Sequence, residues 1–306
     1  MKNKRFLALG GAVSFALVLG ACGDGDVVDE LEEGAPEEET DEAAEGGEER
    51  GTLNIGLNNW AENVAVSNMW KVILEEQGYD VELTMLEKAP VWQGVAQGDL
   101  DIAPEVWLPI TDEPLYEEYE DQIELREIWY EGTGLGLVVP EYVDIDSIEE
   151  LNDHADEMDG RIIGIDPGAS LMRLSNEAVE EYDLDYDLVD SSEPAMMTEL
   201  DSAYQNEEPI VVTLWNPHWA FADYDLKYLD DPENVYGDPD DIYYMTRTGF
   251  EDDHAEVVEW FDAWHMDDDS LGELMSVIND ADDEEEGARE WIEDNRELVD
   301  EWLGEE

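Results

Sequence analysis

Val211-Val-Thr-Leu-Trp-Asn-Pro-His-Trp219 joins a buried strand to an abrupt stop. The β-branched run from Ile210 to Thr213 has the make-up of a strand covered on both faces, and Asn216-Pro217 breaks the chain directly after it. Trp215 is thereby delivered to the strand's carboxyl end. In open α/β sheets the crevice beyond the strand ends is where ligands sit. A large aromatic there either packs under a loop or walls a binding site. Two other windows repeat the arrangement: Leu53-Asn-Ile-Gly-Leu57 is followed by Asn58, Asn59 and Trp60, and Leu100-Asp-Ile-Ala103 by Pro104, Glu105, Val106 and Trp107. Three of the 11 tryptophans thus fall at predicted strand ends, whereas core aromatics more often lie inside elements.

The composition limits the partners. With 306 residues the chain is long enough for two domains and a sizeable core. It carries 13 Lys plus Arg against 86 Asp plus Glu, a formal net charge of -73. Nucleic acid and anionic membrane surfaces would repel such a chain. Yet 42% of residues are apolar and 9% aromatic, so this is a folded protein with an acidic skin. Solubility in concentrated salt is the usual reason for such a skin, and it points to a halophilic source.

Lys2, Lys4 and Arg5 precede an apolar stretch from Phe6 to Leu19, the pattern of a signal peptide over residues 1–21. It ends in Leu19-Gly20-Ala21-Cys22, which is similar to a bacterial lipobox. Cys22, the only cysteine, is then either lipidated or a free thiol. Cleavage at this point removes three positive charges and takes the net charge from -73 to -76. Residues 22–51 are Glu, Asp, Gly and Ala with almost no large apolar side chain, and are expected to form an acidic tether.

From Thr52 onward strands and helices alternate, which implies a largely parallel sheet. Strands are expected at Leu53–Leu57, Asp80–Leu86, Leu100–Ala103 and Glu124–Tyr130, with helices over Ala61–Gln77, Trp92–Gln97 and Pro114–Tyr119. A second α/β series has a helix from Ser147, strand Arg161–Ile165, a helix from Leu171, strand Asp187–Val189, helix Pro194–Tyr204 and the Ile210 strand. Gly134–Pro140 and Tyr243–Thr248 are expected to cross between two lobes, with residues 52–138 and 248–306 in one and 139–247 in the other. Trp70 and the tail residues Trp260, Trp264, Trp291 and Trp302 recur at helical spacing and read as core. Two lobes with two crossovers and a cleft between them describe a hinged, periplasmic-binding-protein-like α/β fold.

From Thr52 to its end the chain resembles the glycine betaine-type substrate-binding proteins of ABC uptake transporters. The likeness is carried by Gly164-Ile-Asp-Pro-Gly-Ala-Ser170, Thr213-Leu-Trp-Asn-Pro-His-Trp219, Leu226-Lys-Tyr-Leu-Asp230, Val106-Trp-Leu-Pro109 and Gly136-Leu-Val-Val-Pro140. The resemblance places Trp60, Trp107 and Trp215 at the positions of a tryptophan prism around a quaternary ammonium. It implies that the backbone amides of Ser170 and Leu171 hold the ligand's carboxylate. It further implies an ABC permease partner, an extracytoplasmic location on the membrane through a lipid anchor, a monomer, no cofactor and no enzyme activity.

The chemistry agrees with these assignments. A trimethylammonium group donates no hydrogen bond, so only charge and shape can hold it, and aromatic faces supply about 0.5 to 2 kcal/mol each. Asp166-Pro-Gly-Ala-Ser-Leu171 reads either as an ordinary turn with a Ser cap or as an anion site at a helix start. Two departures from the family stand out. Asp112 occupies the region where some relatives have a carboxylate-binding histidine; an ionised Asp112 would repel a carboxylate, so it is neutral, turned away, or suited to another ligand. Ser170 replaces a glycine that some relatives have in the turn. His218 reads as structural. Choline, carnitine and, from a different class, carbohydrate are the alternative ligands. A carboxylate pair, which would suggest a glycosidase, has no weight among 86 acidic residues.

Closure of two strongly negative lobes is opposed by their repulsion, which salt screens over a Debye length of about 30 Å at 0.01 M and about 3 Å at 1 M. Betaine affinity is therefore expected to rise or hold between about 0.05 and about 2 M NaCl, as measured by tryptophan fluorescence titration. A steady loss of affinity with salt would show that exposed charge carries the binding.

Overall fold

The computed structural model describes residues 50–305. Cys22, the proposed signal peptide and most of the tether lie outside them. The first lobe is built from β1 (Thr52–Leu57), α1 (Ala61–Glu76), β2 (Asp80–Met85), α2 (Lys88–Gln97), β3 (Ile102–Leu108), α3 (Glu113–Tyr119) and β4 (Ile123–Tyr130). The second contains β5 (Gly134–Pro140), a 3-10 helix (Ile148–Met158), β6 (Arg161–Ile163), α4 (Ser170–Glu181), β7 (Asp187–Val189), α5 (Glu193–Gln205), β8 (Val211–Asn216), α6 (Ala220–Asp223) and β9 (Leu226–Tyr228). The chain then returns to the first lobe as β10 (Asp241–Arg247), followed by α7 (Phe250–Ala263), α8 (Asp268–Asp280), α9 (Glu284–Asp294) and α10 (Arg296–Leu303).

Two five-stranded sheets result, in the orders β2-β1-β3-β10-β4 and β7-β6-β8-β5-β9. Both are mixed. β10 runs antiparallel to β3 and β4, and β5 antiparallel to β8 and β9, because each arrives from the other lobe. The chain passes between the lobes twice, in the short segments before β5 and before β10. β5 itself is hydrogen-bonded wholly inside the second sheet and β10 wholly inside the first, so sheet membership divides the lobes near residues 133 and 240, not at 138/139 and 247/248.

Local sequence explains most elements, and two differ from expectation. The stretch after Ser147 forms a 3-10 helix, not an α-helix: its Asn152, Asp153 and Asp156 are residues that compete for backbone groups. Its Asn152 side chain bonds the Asp183 carbonyl and the Asp185 N–H. The strand expected to end at Ala103 continues to Leu108 through Pro104. Proline has no N–H to give a ladder, and the strand absorbs it in a bulge: β3 uses the three steps from Ala103 to Val106 where β10 uses two, from Tyr243 to Met245.

Trp70 on α1 is 1% exposed and stacks on Phe261 of α7 with ring centroids 3.8 Å apart. Trp264 stacks on Trp129 of β4 at 4.2 Å, and Trp291 and Trp302 pack beyond them. The tail helices are therefore part of the first lobe's core. Replacing buried Trp264 by Ala should cost about 3–5 kcal/mol of stability, measured by urea unfolding. A loss under about 1 kcal/mol would show that the tail packs independently of β4.

Candidate ligand-binding site

Trp60, Trp107, Trp215, Ser170, Leu171 and Asp112 all line one cavity between the lobes. Leu135, Ile165 and Ala169 complete its apolar wall. Trp60 is the residue just before α1, in extended conformation. Trp107 and Trp215 each sit one residue inside the carboxyl end of β3 and β8, not beyond it. Each of these strands ends in a cis proline bond, Leu108–Pro109 and Asn216–Pro217. Trp60 and Trp215 meet edge to face, with centroids 6.4 Å apart and planes at 61°.

Each indole N–H is fixed by a carboxylate. Trp60 Nε1 donates to Asp166 at 2.9 Å, Trp107 Nε1 to Glu105 at 2.9 Å, and Trp215 Nε1 to Glu62 at 2.8 Å. Glu105 and Trp107 are two residues apart on one strand, so they share a face. The other two bonds join the lobes. Three more do the same: Ala61 N–H to Glu193 at 2.8 Å, Ser170 Oγ to Asp112 at 3.0 Å, and Arg173 Nη2 to the Thr111 carbonyl at 3.3 Å. The cleft is closed.

α4 begins at the Asp166–Ala169 turn. Ala169 is its N-cap residue, and no side chain caps it, which excludes the reading of a Ser cap. The first-turn N–H groups of Ser170 and Leu171 have no intrahelical acceptor by geometry and face the cavity with the positive end of the helix dipole. Ser170 starts the helix without needing a glycine's freedom.

Asp112 is neither turned away nor alone. Fully buried, it pairs with the buried Lys88 ammonium at 2.8 Å and accepts from the Trp107 N–H at 2.9 Å and from Ser170 Oγ. Asp240 holds the loop before it by accepting from the N–H groups of Ile110 and Thr111 at 2.7 and 2.8 Å. Lys88 Nζ also stands 5.1 Å from the Trp60 ring centroid, so one aromatic wall already faces a cation. Burial by itself would lower the pKa of Lys88, but Asp112, Glu105 and Glu62 outweigh it and leave the value raised.

Glu62 and Glu105 complete the site. Burial, with Glu105 and Glu193 adding, raises the Glu62 carboxyl well above its usual range. Burial likewise pushes Glu105 up to about 7, against the pull of Lys88 and of the neighbouring Glu62 carboxyl. His218 stands outside the cavity lining, with Nε2 3.2 Å from Glu193 and Nδ1 accepting from the Ala220 N–H at 3.0 Å. Its ring packs edge to face on Trp215, with centroids 4.8 Å apart.

A two-lobed binding protein with an aromatic cage is thus defined. Residues 51–294 match the family described as the substrate binding domain of ABC-type glycine betaine transport systems, and the chain belongs to that family. The family is one of transport binding domains, in keeping with the expectation of a non-enzyme. The glycine betaine/carnitine transport binding protein GbuC of Listeria monocytogenes serotype 1/2a (strain 10403S) is 39% identical over 153 residues, 49% of this chain and 51% of the relative. The match therefore spans about half the length of that relative. Lactococcal OpuAC, solved closed with glycine betaine, is 34% identical with a TM-score of 0.78 over 82% of this chain and 99% of its own. An ABC-transporter choline binding protein in complex with choline is 26% identical with a TM-score of 0.77, covering 83% and 91%.

Sequence reading missed Lys88, Glu62 and Glu105. Glu62 and Glu105 stand two residues from Trp60 and Trp107, a spacing that could have flagged them, but two among 86 acidic residues do not stand out. Nothing local marked Lys88. Because removing one member of a buried pair strands the other, Lys88→Met and Asp112→Leu should each destabilise the protein by about 3–5 kcal/mol, and the double variant should lie closer to wild type than either single one. Additive losses in thermal unfolding would show that the two side chains act independently.

Proposed function

We propose that this protein captures a quaternary ammonium compatible solute, glycine betaine or a close relative, outside the cytoplasm and delivers it to an ABC importer. The observation that carries this reading is the convergence of Trp60, Trp107 and Trp215 on one closed cavity beside the uncapped start of α4. The aromatic faces hold an ammonium that cannot donate hydrogen bonds, and the free N–H groups of Ser170 and Leu171 suit a carboxylate. In this reading Cys22 carries the lipid anchor, the acidic segment spaces the lobes from the membrane, and the net charge of -73 fits a halophilic source. The ligands of lactococcal OpuAC and of the Listeria relative support glycine betaine and carnitine as candidates.

Choline is the second reading, favoured by one observation. Asp112 already places a carboxylate against Ser170 at the start of α4, where a betaine's own carboxylate would go. A ligand without a carboxylate avoids that competition, as the choline-bound relative illustrates.

Calorimetry with glycine betaine, proline betaine, carnitine, choline, glucose and maltose separates these readings. Binding of an ammonium ligand and not of the sugars is expected. Trp215→Ala should weaken it at least about tenfold, equivalent to about 1.4 kcal/mol, while the circular dichroism of the fold is retained. Sugar binding without an ammonium response would overturn the proposal.

A further inference from the structure

Glu62 and Glu105 do more than orient tryptophans. Both side chains are buried and line the cavity. Each spends one oxygen on an indole N–H, and each leaves the other, Glu62 Oε1 and Glu105 Oε2, buried with no donor. An unpaired buried carboxylate oxygen is costly. Two facing carboxyls are satisfied together only when one proton lies between them. We propose that Glu62 and Glu105 are a proton-sharing acid pair that supplies the counter-charge for the ligand's ammonium, so that binding the cation holds the pair at one shared proton and expels any second one. The inference rests on the ammonium-binding reading of this cavity.

The surrounding charges support this role. Lys88 is paired by Asp112, so these two cancel. Glu193, on α5, accepts from the Ala61 N–H and lies against His218. Asp166, beside Glu87, accepts from the Trp60 indole but does not line the cavity, so the acid pair is the negative charge without a cation partner in the cavity lining itself. A proton held on Glu62 keeps that charge at one, matching one ammonium. An entering cation stabilises this singly ionised pair, so a second proton, where Glu105 still carries one, leaves to solvent.

The sign of the pH dependence follows. The raised Glu105 value of about 7 belongs to the ligand-free pocket, and a bound cation lowers it. Cation affinity is therefore full above pH 7 and is lost as pH falls through it. Choline Kd should fall about five- to tenfold from pH 6 to pH 8, with on the order of half a proton released per choline at pH 7. Calorimetry in buffers of different ionisation enthalpy measures that proton. Glycine betaine, whose carboxylate partly offsets its ammonium, should release less.

Glu105→Gln keeps an acceptor for the Trp107 indole but removes the charge. It should flatten the pH profile and weaken choline about tenfold at pH 8. A flat wild-type profile with no proton release overturns the proposal, and this needs no variant. The ligand-free protein gives an independent check by infrared spectroscopy: a protonated buried carboxyl should be visible at pH 7 and absent in Glu62→Gln. Its absence from wild type overturns the acid pair. Its presence without binding of any ammonium ligand overturns the proposed function and leaves the pair standing, with no ammonium to serve.

Discussion

The indole N–H groups of Trp60, Trp107 and Trp215 each have a carboxylate acceptor, whereas those of the buried core residues Trp70, Trp92, Trp264 and Trp291 have none, and the geometry of the site turns on those three bonds. A cage for an ammonium needs the ring faces bare, so the edges must be satisfied from behind. Asp166, Glu105 and Glu62 do this. Two of the three bonds run between lobes, so the contacts that aim the rings also fasten the cleft. Ring orientation and lobe closure are in this way one structural event.

The same arrangement concentrates negative charge where a cation is wanted. In a low-dielectric pocket a carboxylate at an indole edge strengthens the attraction of its ring for a positive ligand. The cost of burial is limited by pairing and by proton sharing. Asp112 takes Lys88, the one cation drawn into this cavity's lining, and Glu62 retains its proton. The surface differs. Arg173 with Glu177 and Arg296 with Asp300 are exposed pairs at helical spacing, which contribute little each. The directed electrostatics are therefore carried by the interior and not by such exposed pairs.

The sequence by itself determined the two α/β lobes, the core role of Trp70 and the tail tryptophans, and Trp60, Trp107 and Trp215 around the cavity; Ser170, Leu171 and Asp112 were reached through the family resemblance. The signals were local: β-branched runs, helical periodicity, and tryptophans placed at strand ends, two of them before a proline. Local pattern also misled, in the strand that absorbs Pro104 as a bulge and in the 3-10 helix after Ser147, because hydrogen-bond partners from distant segments overrode propensity. Only the tertiary structure decided the charge of the site. Lys88 and Asp112 are 24 positions apart, and Trp215 and Glu62 are 153 apart. Whether a carboxylate repels, pairs or shares a proton depends on which group lies within about 3 Å of it in a dry pocket, and in a chain this rich in acids no sequence pattern marks which ones those are.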